Sequence, residues 1–325
     1  RAIALTDRDG LYGAVRFAQA CREAGVGCIL GVDLSVTHQQ VSREGGPIRP
    51  KRTPTRGGAA VWEADSRTVV LARGGRGWAA LCRLVSAVHL GGERGKPAAT
   101  AELIAEYVRH GDLIVLLGAD STVGQAVARR RPDVAATELR WWLDRVGPAA
   151  VRVEVASHRS RDGRGGAAGR SANAVVRSAR AAAGLLSVAK QCGVAAVLSN
   201  AVRYVSAASA PVADTLDAIR RLVPLDVRHL DRANAQGYLK SWEQLRPVVA
   251  EIADFVDTGS VASLGRELLA STVAVAQECL LDPIADVGLG DIHVPELEVV
   301  QRRGAFETGG AREVGAVLAG YDTRR

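Results

Sequence analysis

Short aliphatic runs of strand length recur at residues 3–6, 28–36, 113–117, 151–155 and 195–198, and the segments between them carry apolar residues at helical spacing. A strand covered on both faces reads as an unbroken Val, Ile and Leu run. Helices between such strands act as crossovers, so the pattern predicts a mostly parallel βα-repeating sheet or barrel. In the first unit Leu11, Val15, Ala18 and Cys21 mark one helix face, ended by Gly25 and Gly27. Residues 59–64 and 67–72 flank Asp65-Ser66 as a hairpin, and Trp78, Leu81, Val85 and Val88 mark the amphipathic helix after it. A later helix carries Val176, Ala179, Ala183 and Leu186 on one face.

With 325 residues and 47% hydrophobic content, the chain can bury a core that is stable alone. Three regions are expected. Residues 1–210 hold the barrel strands, interrupted at about 39–58 by a basic, Gly- and Pro-rich mobile insertion. Residues 211–295 are helical, with Leu216, Ile219 and Leu222 in one segment and Leu245, Val248, Ile252 and Phe255 in another. Residues 296–325 lack periodicity and are expected to be a disordered tail. The chain opens on Arg1 inside a strand and contains no methionine, so upstream sequence with at least one more strand is expected.

No uninterrupted apolar span of membrane length and no signal peptide occurs, and a cytoplasmic location with no membrane partner is the expectation. The five cysteines, at 21, 28, 82, 192 and 279, are odd in number and never spaced as CxxC, which excludes a disulfide framework or zinc ribbon and predicts small buried residues. A net charge of +7 suits a polyanion partner and equally a merely basic surface. Arg129-Arg130-Arg131 has no interleaved aromatic residues for stacking bases, and the glycines of residues 91–97 lack phosphate-loop spacing. Absence of GxSxG and HExxH removes the acyl-transfer and protease readings. Trp141-Trp142 is expected to give one core ring and one surface ring.

Asp7, Asp33, Glu154 and Asn200 fall at the C-terminal ends of apolar runs. In a barrel those ends share one rim. Carboxylates converging there suit a metal that activates water, while strand-end Asp and Asn taken singly also cap the following helix or turn.

Several separated blocks sharpen this reading. The opening Ile3-Ala-Leu-Thr-Asp-Arg-Asp-Gly-Leu-Tyr-Gly13, the helix Trp78-Ala-Ala-Leu-Cys-Arg-Leu-Val-Ser86, the element Leu198-Ser-Asn-Ala-Val-Arg-Tyr204, Gly237-Tyr-Leu-Lys240 and the passage at 282–296 occur in order. Together they resemble the polymerase-and-histidinol-phosphatase (PHP) domain that opens bacterial DNA polymerases of the polymerase III alpha type, replicative or error-prone. The resemblance implies an α/β fold, a distorted (β/α)7 PHP-type barrel, here lacking its first strand and followed by helical segments. It also implies a rim able to hold up to three divalent metals for phosphoester hydrolysis.

Position by position, the metal set departs from that pattern. The family's Thr-Asp-His-Asp reads Thr6-Asp7-Arg8-Asp9, its usual Glu is Asp33, and the Asp and His of its late motif are Ala201 and Arg203. Its opening His-x-His pair has no counterpart after Arg1. Glu154 and His158 lie near a family ligand region, with His158 in an Arg-rich loop that suggests a solvated ring. Asp7, Asp33 and His158 are what remains as metal candidates. Arginine is permanently protonated and cannot ligate a cation, so Arg8 and Arg203 are expected to pair with Asp7, Asp9 and Asp33 in place of an ion.

The expectation is therefore a degenerate rim of Asp7, Arg8, Asp9, Asp33, Glu154, His158, Asn200 and Arg203, with no catalytic residue and no metal or other cofactor in this segment. The resemblance implies a parent DNA-directed DNA polymerase, a nucleotidyltransferase using Mg2+ and deoxynucleoside triphosphates on DNA in replication or repair. A proofreading exonuclease or sliding-clamp component is an implied partner. The alternative is a stand-alone metal-dependent PHP phosphoesterase or 3′–5′ exonuclease.

Overall fold

The computed structural model describes residues 1–37, 66–92, 97–160, 177–226, 230, 232–256 and 260–290. Its elements run β1 (Ala2–Arg8), α1 (Ala14–Ala24), β2 (Gly27–Thr37), β3 (Ser66–Ala72), α2 (Gly74–Gly91), β4 (Ala99–Thr100), α3 (Ala101–Val108), β5 (Leu113–Leu117), α4 (Thr122–Ala128), α5 (Pro132–Val146), β6 (Val151–Val155), α6 (Ala179–Gln191), β7 (Ala196–Leu198), α7 (Ala210–Arg221), α8 (Trp242–Ala253) and α9 (Val261–Glu278). Residues 1–287 form one compact unit. A second begins at Gly288, of which only residues 288–290 are described.

The strands make one curled, half-barrel sheet in the order β1-β2-β3-β5-β6-β7, with β4 added to β2. Pairs β1·β2, β5·β6 and β6·β7 are parallel, as the aliphatic runs predict, whereas β3 runs antiparallel to both neighbours. Alternation along each strand divides the side chains between two faces. Leu30, Val32 and Leu34 of β2, Val70 and Ala72 of β3, Leu113, Val115 and Leu117 of β5, and Val151, Val153 and Val155 of β6 enter the main core beneath the outer helices.

The opposite face is smaller. Ile29, Leu71, Ile114, Leu116 and Val197 meet Val275 of α9, which crosses this inner surface, and Cys279 at its C-cap. Polar contacts fix that helix along its length. The Leu198 amide donates to the Thr272 hydroxyl at 2.9 Å, Arg73 and Arg152 reach Glu278 at 2.6 and 3.4 Å, and the Leu281 amide donates to the Cys28 carbonyl at 2.9 Å.

Local chemistry sets the helix ends. Ser121, Ser178, Ser241 and Ser260 accept backbone amides at the starts of α4, α6, α8 and α9, and Gly25 ends α1 in the left-handed region at φ 62°. Trp142 is buried and Trp141 partly so, with the Arg145 guanidinium 3.8 Å from the Trp141 ring centre.

Several expectations are corrected. Val15 is 58% exposed, because the buried face of α1 is Ala14, Ala18 and Cys21, and Gly27 opens β2 instead of ending the helix. Cys82 and Cys192 are only partly buried. Strand β3 pairs with β2 and β5, while the proposed hairpin partner at 59–64, the insertion at 39–58, Val176 and the tail at 296–325 lie outside the described residues. Among the described residues no helix is long and apolar enough to cross a membrane.

Candidate functional site: a rim of carboxylates and arginines

Strand register assembles the rim. Ile3 and Leu5 lean on the main core, so by alternation Asp7 faces the same way, while Thr6 and Arg8 face the inner surface. Arg8 pairs in register with Asp33, and Ser35 with Arg67 across the antiparallel β2·β3 ladder. Arg8, Asp33, Ser35 and Arg67 therefore share one patch of the inner face at the strand ends.

Arg67 holds the patch together. Its Nε lies 2.9 Å from Asp33 Oδ2, its Nη1 is 2.8 Å from Ser35 Oγ and 3.3 Å from Asp9 Oδ2, and its Nη2 donates to the Asp33 carbonyl. Asp9 stands in the left-handed region at φ 52°, which turns its carboxylate back to accept the Ser35 amide at 2.6 Å and hydroxyl at 3.0 Å. Its backbone carbonyl meets the His89 ring at 2.5 Å. Burial opposes the charge on Arg67, but Asp33 and Asp9 outweigh it and raise the guanidinium pKa. Burial also raises the Asp33 carboxyl, against the pull of Arg67 and Arg8. Arg8, 3.9 Å from Asp33, has its pKa lowered by burial and then by the nearby charges of Arg67, Arg220 and Arg203.

Glu154 and Asp120 continue the rim on the far side. Glu154 accepts the Ser199 hydroxyl at 2.6 Å, and its carboxylate lies against Gly118, where an added Cβ would sit 2.4 Å from Oε2. Arg177 pairs with Asp120. The Glu154 carboxyl is raised by burial first, with Asp120 and Asp33 adding to the shift and Ser199 and Arg177 opposing it. His158 donates from Nε2 to the Asn200 carbonyl at 2.7 Å, which fixes the tautomer when the ring is neutral. Burial, with the charges of Arg177 and Lys240, brings its pKa down to about 4.

Four sequence expectations change on this geometry. Asp7 accepts the Gly13 amide at 2.6 Å at the mouth of α1 and meets no rim arginine, because it faces the other side of the sheet. Arg203 forks onto Asp217 at 2.9 Å to both oxygens instead of reaching Asp9 or Asp33. His158 is partly buried and hydrogen-bonded, not a solvated loop residue. Asn200 is a structural peg, donating to the carbonyls of Gln236 at 2.8 Å and Tyr238 at 2.7 Å. Its segment joins the next conspicuous block, since the Arg203 amide donates to Gly237 and the Leu239 amide to Tyr204.

Sequence reasoning missed Arg67, Ser35, Asp120 and Arg177. Asp120 follows the β5 run just as Asp33 belongs to the β2 run, so the strand-end rule applied evenly finds it. Among the described residues no group of three or more His, Cys, Asp or Glu side chains is placed to hold a metal ion. Arg67 occupies the Asp9 and Asp33 oxygens with its own donors, and Arg8 adds a further positive charge. The residues present do not fit a divalent metal cluster.

The PHP domain family matches residues 1–158. An error-prone DNA polymerase of Mycolicibacterium paratuberculosis is 39% identical over 160 residues, covering 49% of this chain and 13% of that protein. An error-prone DNA polymerase of Nocardia farcinica is 29% identical over 313 residues, covering 86% of this chain and 24% of that protein. The DNA polymerase III subunit alpha of Xylella fastidiosa is 26% identical over 260 residues, covering 79% and 18%. The chain thus spans between 13% and 24% of the length of these relatives. The curled α/β sheet and these similarities together identify a PHP domain in residues 1–158, homologous to proteins named error-prone DNA polymerase and DNA polymerase III subunit alpha.

Proposed function

We propose that this chain is a structural, catalytically silent PHP module that serves DNA synthesis as a scaffold within a polymerase-type polypeptide. The observation that carries the reading is Arg67, whose guanidinium binds Asp33, Asp9 and Ser35 together on the inner face. A fixed positive charge there does the organising work that a bound cation does in a hydrolytic rim. It offers no exchangeable site for water and no Lewis acidity. The metal candidates do not converge: Asp7 serves α1, Asp33 serves Arg67, and His158 serves the Asn200 carbonyl.

Template-directed polymerisation with Mg2+ and deoxynucleoside triphosphates belongs, in this reading, to sequence that the relatives carry outside the matched segment, as do contacts with a proofreading exonuclease or a sliding clamp. The test is metal analysis of the folded chain after dialysis against Zn2+ and then Mn2+. Substoichiometric metal is expected. Stoichiometric metal retained on a folded chain, with hydrolysis of a phosphate ester, overturns the silent-rim reading in favour of a free-standing phosphoesterase. Primer extension by the 325-residue chain alone would overturn the assignment of polymerisation to other sequence.

A further inference from the structure

Helix α7 is docked the wrong way round for an ordinary surface helix. Its inward face carries only small and charged residues: Ala210, Asp214, Ala218 and Arg221 are buried, Asp214 takes two donors of Arg232 at 2.8 and 2.6 Å, and Asp217 takes Arg203. Its outward face is aliphatic: Val212, Leu216 and Ile219, spaced i, i+4 and i+7, are 61%, 61% and 63% exposed. Leu222 at the C-cap is 60% exposed, and Val205 and Leu225, close on either side in sequence, are 78% and 59% exposed. No α7 residue belongs to either hydrophobic core. Ion pairs hold this helix to the body while its hydrocarbon faces away from it. Contiguous apolar patches of this kind mark interaction surfaces.

We propose that this stripe is the seat of an apolar surface carried by the polypeptide that adjoins the module in its longer relatives, a contact within one chain. The inference rests on the scaffold reading above and says which face does the scaffolding. Two observations favour a tethered occupant over a second copy. The exposed apolar side chains come from one helix and its two flanks, a narrow face to set against the roughly 800 Å² per partner of a standard stable interface. Association of separate molecules also costs translational and rotational freedom, most of which a covalent connection removes. Secondly, the Nocardia relative matches 86% of this chain, too much for a continuous match to miss residues 205–225, yet the match is only 24% of that protein. The shared segment that includes α7 therefore has abundant attached polypeptide to meet it there.

The deciding experiment is carbene footprinting of α7 in the 325-residue chain and of the aligned helix in the intact Nocardia farcinica polymerase, with sedimentation of the chain across the micromolar range. Heavy labelling at Val212, Leu216 and Ile219 in the chain, falling several-fold in the intact polymerase, is expected, with the chain monomeric. Equal labelling in the two proteins overturns the proposal. So does a concentration-dependent dimer of this chain that L216D/I219D dissolves, which would make the occupant a second copy. The footprint needs no variant, so it decides even where the double substitution disturbs folding. Metal retention by the rim would sink the silent-site reading and leave this footprint unchanged, so the two failures are distinguishable.

Discussion

Arg67 and Asp33 meet across the β2·β3 ladder, the guanidinium bound both to the Asp33 carboxylate, at 2.9 Å from Nε, and to its backbone carbonyl. One side chain thus fixes a carboxylate and the strand that bears it. With side chains only 12% and 22% exposed, the pair is shielded from water, and each partner depends on the other for its solvation.

Removing the guanidinium should therefore be costly. R67M is expected to lose about 3–5 kcal/mol of unfolding free energy, because it strands the carboxylates of Asp33 and Asp9. R67M/D33N should recover part of that loss. Urea denaturation measures both, and an R67M cost below about 1 kcal/mol would reduce the clamp to the rank of a surface ion pair.

Asp7 should behave as a local structural residue. D7A removes the acceptor of the Gly13 amide and is expected to cost about 1–2 kcal/mol, with D7N costing less. Metal content should not change in either variant. Loss of a tightly bound metal on D7A would return Asp7 to the rim.

His158 gives a pH signature of definite sign. Its folded pKa is about 4 against 6.5 for the free ring, so between those values the unfolded state binds more protons. Its contribution to stability is complete above pH 6.5 and is lost as pH falls toward 4. Asp33 and Glu154, whose pKa values are raised, act with the opposite sign, each favouring the folded state more at low pH. A ring-proton NMR titration of His158 should show its midpoint near 4. A midpoint at the free-ring value would mean that the ring is solvated.

Gly31 supports the clamp from one pleat below Asp33. A Cβ there would lie 2.6 Å from both the Val70 carbonyl oxygen and a Leu71 methyl group, so G31A must push β2 and β3 apart. A loss of about 1–3 kcal/mol is expected in thermal or urea unfolding. An unchanged midpoint would show that the sheet yields there without cost.

The strands were legible because a doubly covered strand needs an unbroken aliphatic run, which residues 113–117 supply, and a half-covered one needs alternation, which Val151, Val153 and Val155 supply. Asp7 was misplaced: its position at a strand end suggested the rim, but it lies on the Ile3 and Leu5 side of β1 and not on the Arg8 side. Arg67 was not legible. Its role depends on a non-local antiparallel register with Ser35, which a local reading of residues 67–72 as the second arm of a hairpin does not reveal. Leu216 and Ile219 expose another limit: helical spacing identifies an apolar face without saying whether that face turns inward or outward.

Helix α9 begins more than a hundred residues past the end of the family match, yet it and its C-cap supply Val275 and Cys279 to the cover of Ile114 and Leu116, which lie inside that match. The stretch that the family match covers is therefore shorter than the stretch that folding requires. A fragment cut at residue 158 would lose β7 and leave one side of its own sheet wet. The smallest piece worth expressing reaches at least Leu281, where the chain after α9 closes back onto Cys28.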